Sequence, residues 1–337
     1  MTDPRNRCRR SFLARCLTGA VALSAAGLRA TAEAQMPSGK SRVVVARDPQ
    51  LCGAGSNIDA GRLEALLDRA MQSLFNLPAS HDNTIAAWRR IASANDKVSL
   101  KVNTLGGRGI VTNVELVEAV RERLQQAGVA ARNIVVWDRD TEELERAGFR
   151  IATGGDRVQC YGTDRVGYED KLSAWGSVGS RLSKILTRAT SVLINLPVLK
   201  DHDGAGVTIA LKNMYGTIHN PNKYHPNGCD PYVADLNMLP EIRSCMKLTI
   251  CDATTAMYDG GPGFKPEFSW KCNGVLVAQD AVALDFTGWQ TIERKRAEKG
   301  LKTLDAEGRA PRYIATAADS EHTLGHGDPA HIAVIEV

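Results

Sequence analysis

Between residues 98 and 138 the chain spells an apolar run, an amphipathic stretch, a glycine and a second apolar run that ends on aspartate. Val98–Val102 reads as a strand. Asn113 caps a helix running to Gln126, Gly128 stops it, and Ile134–Trp137 is a buried-type strand followed by Asp138. This is the βαβ rhythm of a parallel sheet flanked by helices. Arg42–Arg47 is an earlier β-branched run, and Asp59–Phe75 repeats Leu63, Leu66, Leu67, Ala70, Met71 and Leu74 at helical period. Thr141–Ala147 is the next helix; Ser191–Leu196, Met246–Asp252 and Val275–Val277 continue as strands. Helices follow from Asp280 to about Lys299 and over Ala310–Ala318, and His331–Val337 closes as a strand. The Asn-, Pro- and Gly-rich stretch between Gly204 and Pro240 carries only a short helix-like piece, and a loop of that length is usually functional. The expectation is an α/β fold: one domain over 42–337, a predominantly parallel sheet flanked by helices, and a long irregular insertion around 204–240.

Residues 1–34 read as an address. Arg9-Arg10-Ser11-Phe12-Leu13 looks like a twin-arginine export motif, Leu17–Leu28 is an apolar run, and Ala32-Glu33-Ala34 offers small residues for signal peptidase. A Sec signal with paired arginines is the alternative. The run is short and contains Gly19 and Gly27, so no retained membrane anchor is expected. The expected location is the periplasm, with the twin-arginine translocation machinery and signal peptidase as partners on the way. Six of the 42 Lys and Arg and two of the 38 Asp and Glu lie in residues 1–34, which accounts for the whole formal charge of +4. The remainder is balanced, and no nucleic-acid footprint is expected of it. Of eight cysteines, Cys8 and Cys16 fall in the address. The other six form no C-x-x-C, so neither an iron–sulfur motif nor a Cys-rich zinc site is written here. Buried thiols and one or two disulfides both fit their spacing.

In open α/β sheets ligands bind beyond the carboxyl ends of strands. The informative residues are therefore Asn103–Gly109, Asp138-Arg139-Asp140, Lys200-Asp201-His202-Asp203 and Asp252 through Gly263. The most distinctive portion is Asn195-Leu196-Pro197, then Lys200 and His202, then Lys212-Asn213-Met214-Tyr215-Gly216. Here the chain resembles the family called domain of unknown function 362. The resemblance continues with Lys101-Val102-Asn103, the Asp252 strand end, Gly261-Pro262 and Gln279–Asp285, from about 42 to 337. Asp201 stands where the family usually has threonine, and the ferredoxin-type cysteine runs of some relatives are missing. The resemblance implies a fold and a site but no established reaction.

Residue chemistry suggests the roles. Lys200 and Lys212, with Asn213 donating an amide N–H, suit a carboxylate or phosphate, and a desolvated lysine also suits a base at neutral pH. Asp252 and the Gly260–Gly263 turn are either part of that site or a plain strand exit. The expected catalytic residues are Lys200, Lys212 and Asp252, and the expected ligand-binding residues are Asn103, Asn213 and Gly261. His202, Asp203 and His225 are the candidate ligands for a divalent metal such as zinc, iron or manganese; a hydrogen-bonded loop histidine is the plainer alternative. The function expected is an exported, metal- or cofactor-assisted enzyme acting on a small anionic molecule. The alternatives are a metal- or ligand-binding protein without turnover, and a structural partner of a periplasmic redox assembly.

Overall fold

The computed structural model describes residues 39–53 and 57–337, so the expected address over 1–34 lies outside the described residues. The strands are β1 (Ser41–Arg47), β2 (Val98–Lys101), β3 (Ile134–Trp137), β4 (Gln159–Cys160), β5 (Ser173–Trp175), β6 (Val178–Ser180), β7 (Val192–Asn195), β8 (Val198–His202), β9 (Gly206–Thr208), β10 (Met246–Met257), β11 (Ser269–Ala278) and β12 (Ile332–Glu336). The helices are α1 (Ala60–Leu74), α2 (His81–Arg89), α3 (Val114–Gln126), α4 (Thr141–Arg146), α5 (Lys184–Arg188), α6 (Ala210–Asn213), α7 (Tyr232–Asn237), α8 (Pro240–Arg243), α9 (Ala281–Glu298) and α10 (Tyr313–Ala317).

Among the described residues the main sheet runs β12-β1-β11-β10-β7-β2-β3-β4, with β8 also on β10 and β9 on β8. The pairs joining β2, β3, β4, β7 and β10, and the β1–β12 pair, are parallel. The expected mostly parallel sheet between helices is therefore the fold. Its antiparallel parts are β11, which pairs with both β1 and β10, and β9, which pairs with β8. The sequence marked only Val275–Val277 in β11, because Ser269–Asn273 mixes Trp270 and Cys272 with polar residues and has no apolar run to announce a strand.

Strand alternation sends apolar side chains to both faces. Val98, Leu100, Val136 and Ile194 meet Leu63, Leu67, Met71, Leu116 and Val120 on one side. Leu193, Leu199, Leu276 and Trp137 meet Leu284 and Ile292 of α9 on the other. Asp59 caps α1 by accepting from Arg62 N, and Asp280 caps α9 by accepting from Ala283 N. The 204–240 stretch is less irregular than its composition suggests. It forms β9, α6, several 3-10 turns and α7, and buries Met214, Tyr215, Ile218, Tyr224, Val233 and Leu236 beneath the α9 side of the sheet. Cys52, Cys160, Cys229, Cys245, Cys251 and Cys272 are free thiols, all but Cys52 buried.

Candidate active site

The carboxyl ends of β2, β3 and β8 converge with α6 on a cavity of about 400 Å³, within the range of small-molecule sites. Lys101, Asn103, Asp138, Lys200, His202, Lys212, Asn213, Tyr215 and His225 all contribute to its wall. Five of the nine residues singled out as site candidates from sequence, Lys200, Lys212, Asn103, Asn213 and His202, thus share one cavity with a sixth, His225.

Its floor is a fixed ion pair. Lys101 Nζ donates to Asp138 Oδ1 at 2.7 Å and to the Val102 carbonyl at 2.6 Å. Asp138 Oδ2 accepts from Thr104 N and Thr104 Oγ1, and Oδ1 also accepts from Arg139 N. Both partners are buried, so the pair needs those additional bonds to offset its desolvation. Gly216 follows from this packing. A Cβ there would stand 2.7 Å from Lys101 Nζ and 2.9 Å from Asp138 Oδ1.

Beside the pair runs a chain of buried amides. Lys200 Nζ donates to Asn103 Oδ1, Asn103 Nδ2 to Asn213 Oδ1, Asn213 Nδ2 to Asn195 Oδ1, and Asn195 Nδ2 to the Ala210 carbonyl. Ending on a carbonyl, which only accepts, fixes the orientation of every amide in the chain. Asn103 must therefore show its oxygen to Lys200. Asp285 of α9 anchors the same segment by accepting from Ala210 N and Leu211 N.

Lys200 and Lys212 differ from Lys101. They are only 1% and 4% exposed, yet among the described residues neither hydrogen-bonds a carboxylate. Lys212 Nζ lies 3.2 Å from His225 Nε2 and 4.1 Å from the centroid of the Tyr215 ring. Burial pulls both ammonium groups down to about 8. Burial likewise takes His202 down to about 2, so the ring is neutral. Its Nδ1 accepts from Gly204 N at 3.0 Å, which leaves the ring proton on Nε2. His225 sits beside it, ring centroids 5.8 Å apart, with Nδ1 3.1 Å from the Pro221 carbonyl.

The remaining candidates lie elsewhere. Asp252 does not reach the cavity. Its strand runs on through Ala253–Met257 instead of ending there, and Asp252 shares a sheet face with Leu248 and Ile250. It is buried against the start of α3, accepting from Asn113 N and Nδ2 and from Thr254 N and Oγ1; burial raises its carboxyl and these donors lower it. Gly261 is also outside the cavity wall, its N–H donating to Asp201 Oδ1, and a Cβ would stand 2.7 Å from that oxygen. Asp201 points the same way, towards Arg309, and is raised to about 6 chiefly by burial. The Asp203 side chain is 73% exposed and only approaches His202 Nδ1, at 3.5 Å. Among the described residues no three His, Cys, Asp or Glu side chains are grouped to hold a metal ion.

Asp138 is one of the strand-end residues and Lys101 and Asn195 belong to the family-like pattern, but the sequence assigns none of the three a catalytic, binding or metal role. The signal existed: a lysine inside the buried run VSLK, and an asparagine closing the buried run VLIN, each demand polar partners. Which partners they find depends on strand order.

Residues 97–290, from the start of β2 into α9, match the family model described as Domain of unknown function (DUF362). No curated protein matches the chain.

Proposed function

The chain belongs to the DUF362 family, whose name assigns no reaction, and we propose that it is an exported enzyme that binds a small anion between Lys200 and Lys212 and moves a proton with one of them. The carrying observation is two buried ammonium groups that, among the described residues, no carboxylate hydrogen-bonds. Burying a charge without a counter-charge is costly, and an anionic ligand supplies what the fold withholds. The His202 Nε2–H adds a neutral donor, whereas Lys101 stays committed to Asp138 and the Asn213 amide N–H groups to Asn195 Oδ1 and the Lys101 carbonyl. An amine that titrates near neutral pH is matched to general acid–base work.

Calorimetric titration with pyruvate and with phosphate tests the site. Binding is expected, and Lys212→Met should weaken it by about tenfold to a hundredfold, the range of a lost charge-assisted bond. Unchanged affinity in that variant removes the reading. Tight binding of zinc, iron or manganese instead, lost in His202→Ala, would replace it with the metal site of His202, Asp203 and His225. The Lys200 and Lys212 ammonium groups and the protonated Nε2 of His202 favour the anion.

Export is the second half of the proposal and rests on residues 1–34 of the sequence. Changing Arg9 and Arg10 to lysine should leave the precursor in the cytoplasm, read by fractionation. Undiminished periplasmic protein would exclude the twin-arginine route.

A further inference from the structure

We infer that Lys200 is a nucleophile that forms a covalent imine with a small 2-oxo carboxylate. The inference rests on the anion site proposed above and adds the identity of the ligand class and a covalent step.

Lys200 is set apart from the other two lysines of the cavity by its neighbours. Lys101 is tied to a carboxylate, and Lys212 lies over the Tyr215 ring against His225. Lys200 Nζ contacts one neutral oxygen, Asn103 Oδ1 at 3.0 Å. The amide chain ending on Ala210 O holds that oxygen in place, so it accepts one N–H whether the group is an ammonium or an amine. The 104–110 loop presses on the same nitrogen. A Cβ on Gly106 would come within 2.7 Å of it. A desolvated lysine held in one direction, with no carboxylate bonded to its nitrogen and the Lys212 and Lys101 ammonium groups nearby, is an environment in which an amine becomes nucleophilic.

The same surroundings choose the partner. A carbonyl is the electrophile for an amine, and a carboxylate on the adjacent carbon matches the neighbouring Lys212 ammonium and the His202 N–H. In the step, the Lys200 lone pair forms the C–N bond while the carbonyl π pair moves to oxygen. That oxygen takes one proton from the attacking nitrogen and one from the Lys212 ammonium and leaves as water. An iminium with one N–H remains, and Lys212 is left neutral; atoms and charge balance.

The experiment is reductive trapping of the full mature chain with pyruvate and sodium cyanoborohydride near pH 7, followed by peptide mapping. A reduced pyruvyl group is expected on the peptide carrying Lys200, in excess over any exposed lysine. It should be absent without pyruvate and absent in Lys200→Met. An adduct confined to other lysines, or no adduct, overturns the inference. Lactate, which has the carboxylate but no carbonyl, separates the two levels of the argument. If pyruvate and lactate both bind and nothing is trapped, the imine fails and the anion site stands. If neither binds, both fall. Wild-type mapping decides the matter even if Lys200→Met folds poorly.

Discussion

Asp138→Ala is expected to cost about 3–5 kcal/mol of folding stability, the range for stripping one partner from a buried ion pair. The Lys101 side chain is 1% exposed and has two acceptors, Asp138 Oδ1 and the Val102 carbonyl. With the carboxylate gone, a buried ammonium keeps one neutral acceptor, and Thr104 N, Thr104 Oγ1 and Arg139 N lose theirs as well. The crowding at Gly216 leaves little room for the lysine to swing away. Urea unfolding of the single variant measures the loss, and the pair Lys101→Met with Asp138→Leu separates its causes. The double variant should recover a large part of it, because a matched apolar pair has no charge to desolvate. A loss below about 1 kcal/mol for Asp138→Ala would class the pair with exposed salt bridges and deny it the role of a rigid floor.

The same pair shows what can be read from sequence. The short apolar runs VSLK, IVVW and VLIN and the helix between the first two are strong periodic signals, and each became the element it resembles. They fix the sheet and place Asn103 at a strand end; Lys200, His202, Lys212 and Asn213 were singled out by the motif from Asn195 to Gly216, and β8, which carries Lys200 and His202, was not legible as a strand. What stayed hidden depends on where strands end and on which side they face. The run ATTAM after Asp252 looks neither like a turn nor like a strand core, yet it extends β10 by five residues beyond that aspartate and carries the carboxylate away from the cavity. Asp203 follows the last residue of β8 and faces solvent, while His202 one position earlier lines the cavity. A shift of one residue along a strand reverses the side chain's face, and composition carries no record of it.

Between pH 8 and 9.5 the wild-type protein is expected to gain about 2 kcal/mol in stability relative to Lys200→Met, as the lysine's proton is lost from the folded state first. The folded group titrates at about 8, pulled there mainly by burial, against 10.5 for an ordinary lysine. In this window the unfolded chain still binds the proton and the folded chain has released it, so stability rises with pH. Below about pH 7 both states are protonated, the slope vanishes and the cost of the buried charge is fully expressed. Buried thiols work in the opposite direction. Cys160 and Cys245 are raised to about 12 and 11 by burial, so their unfolded counterparts ionise first and stability falls. That contribution is common to both proteins and cancels in the difference, as does that of His202, neutral throughout. Urea unfolding at half-unit steps of pH supplies the two curves. Parallel curves would mean that Lys200 keeps an ordinary affinity for protons, and it would then be neither base nor nucleophile at neutral pH. An added anion gives the complementary sign: it stabilises the charged lysines, so its effect on wild type should be largest below pH 8 and fade above it. An anion whose stabilisation persisted undiminished to pH 9.5 would be bound by something other than these two ammonium groups.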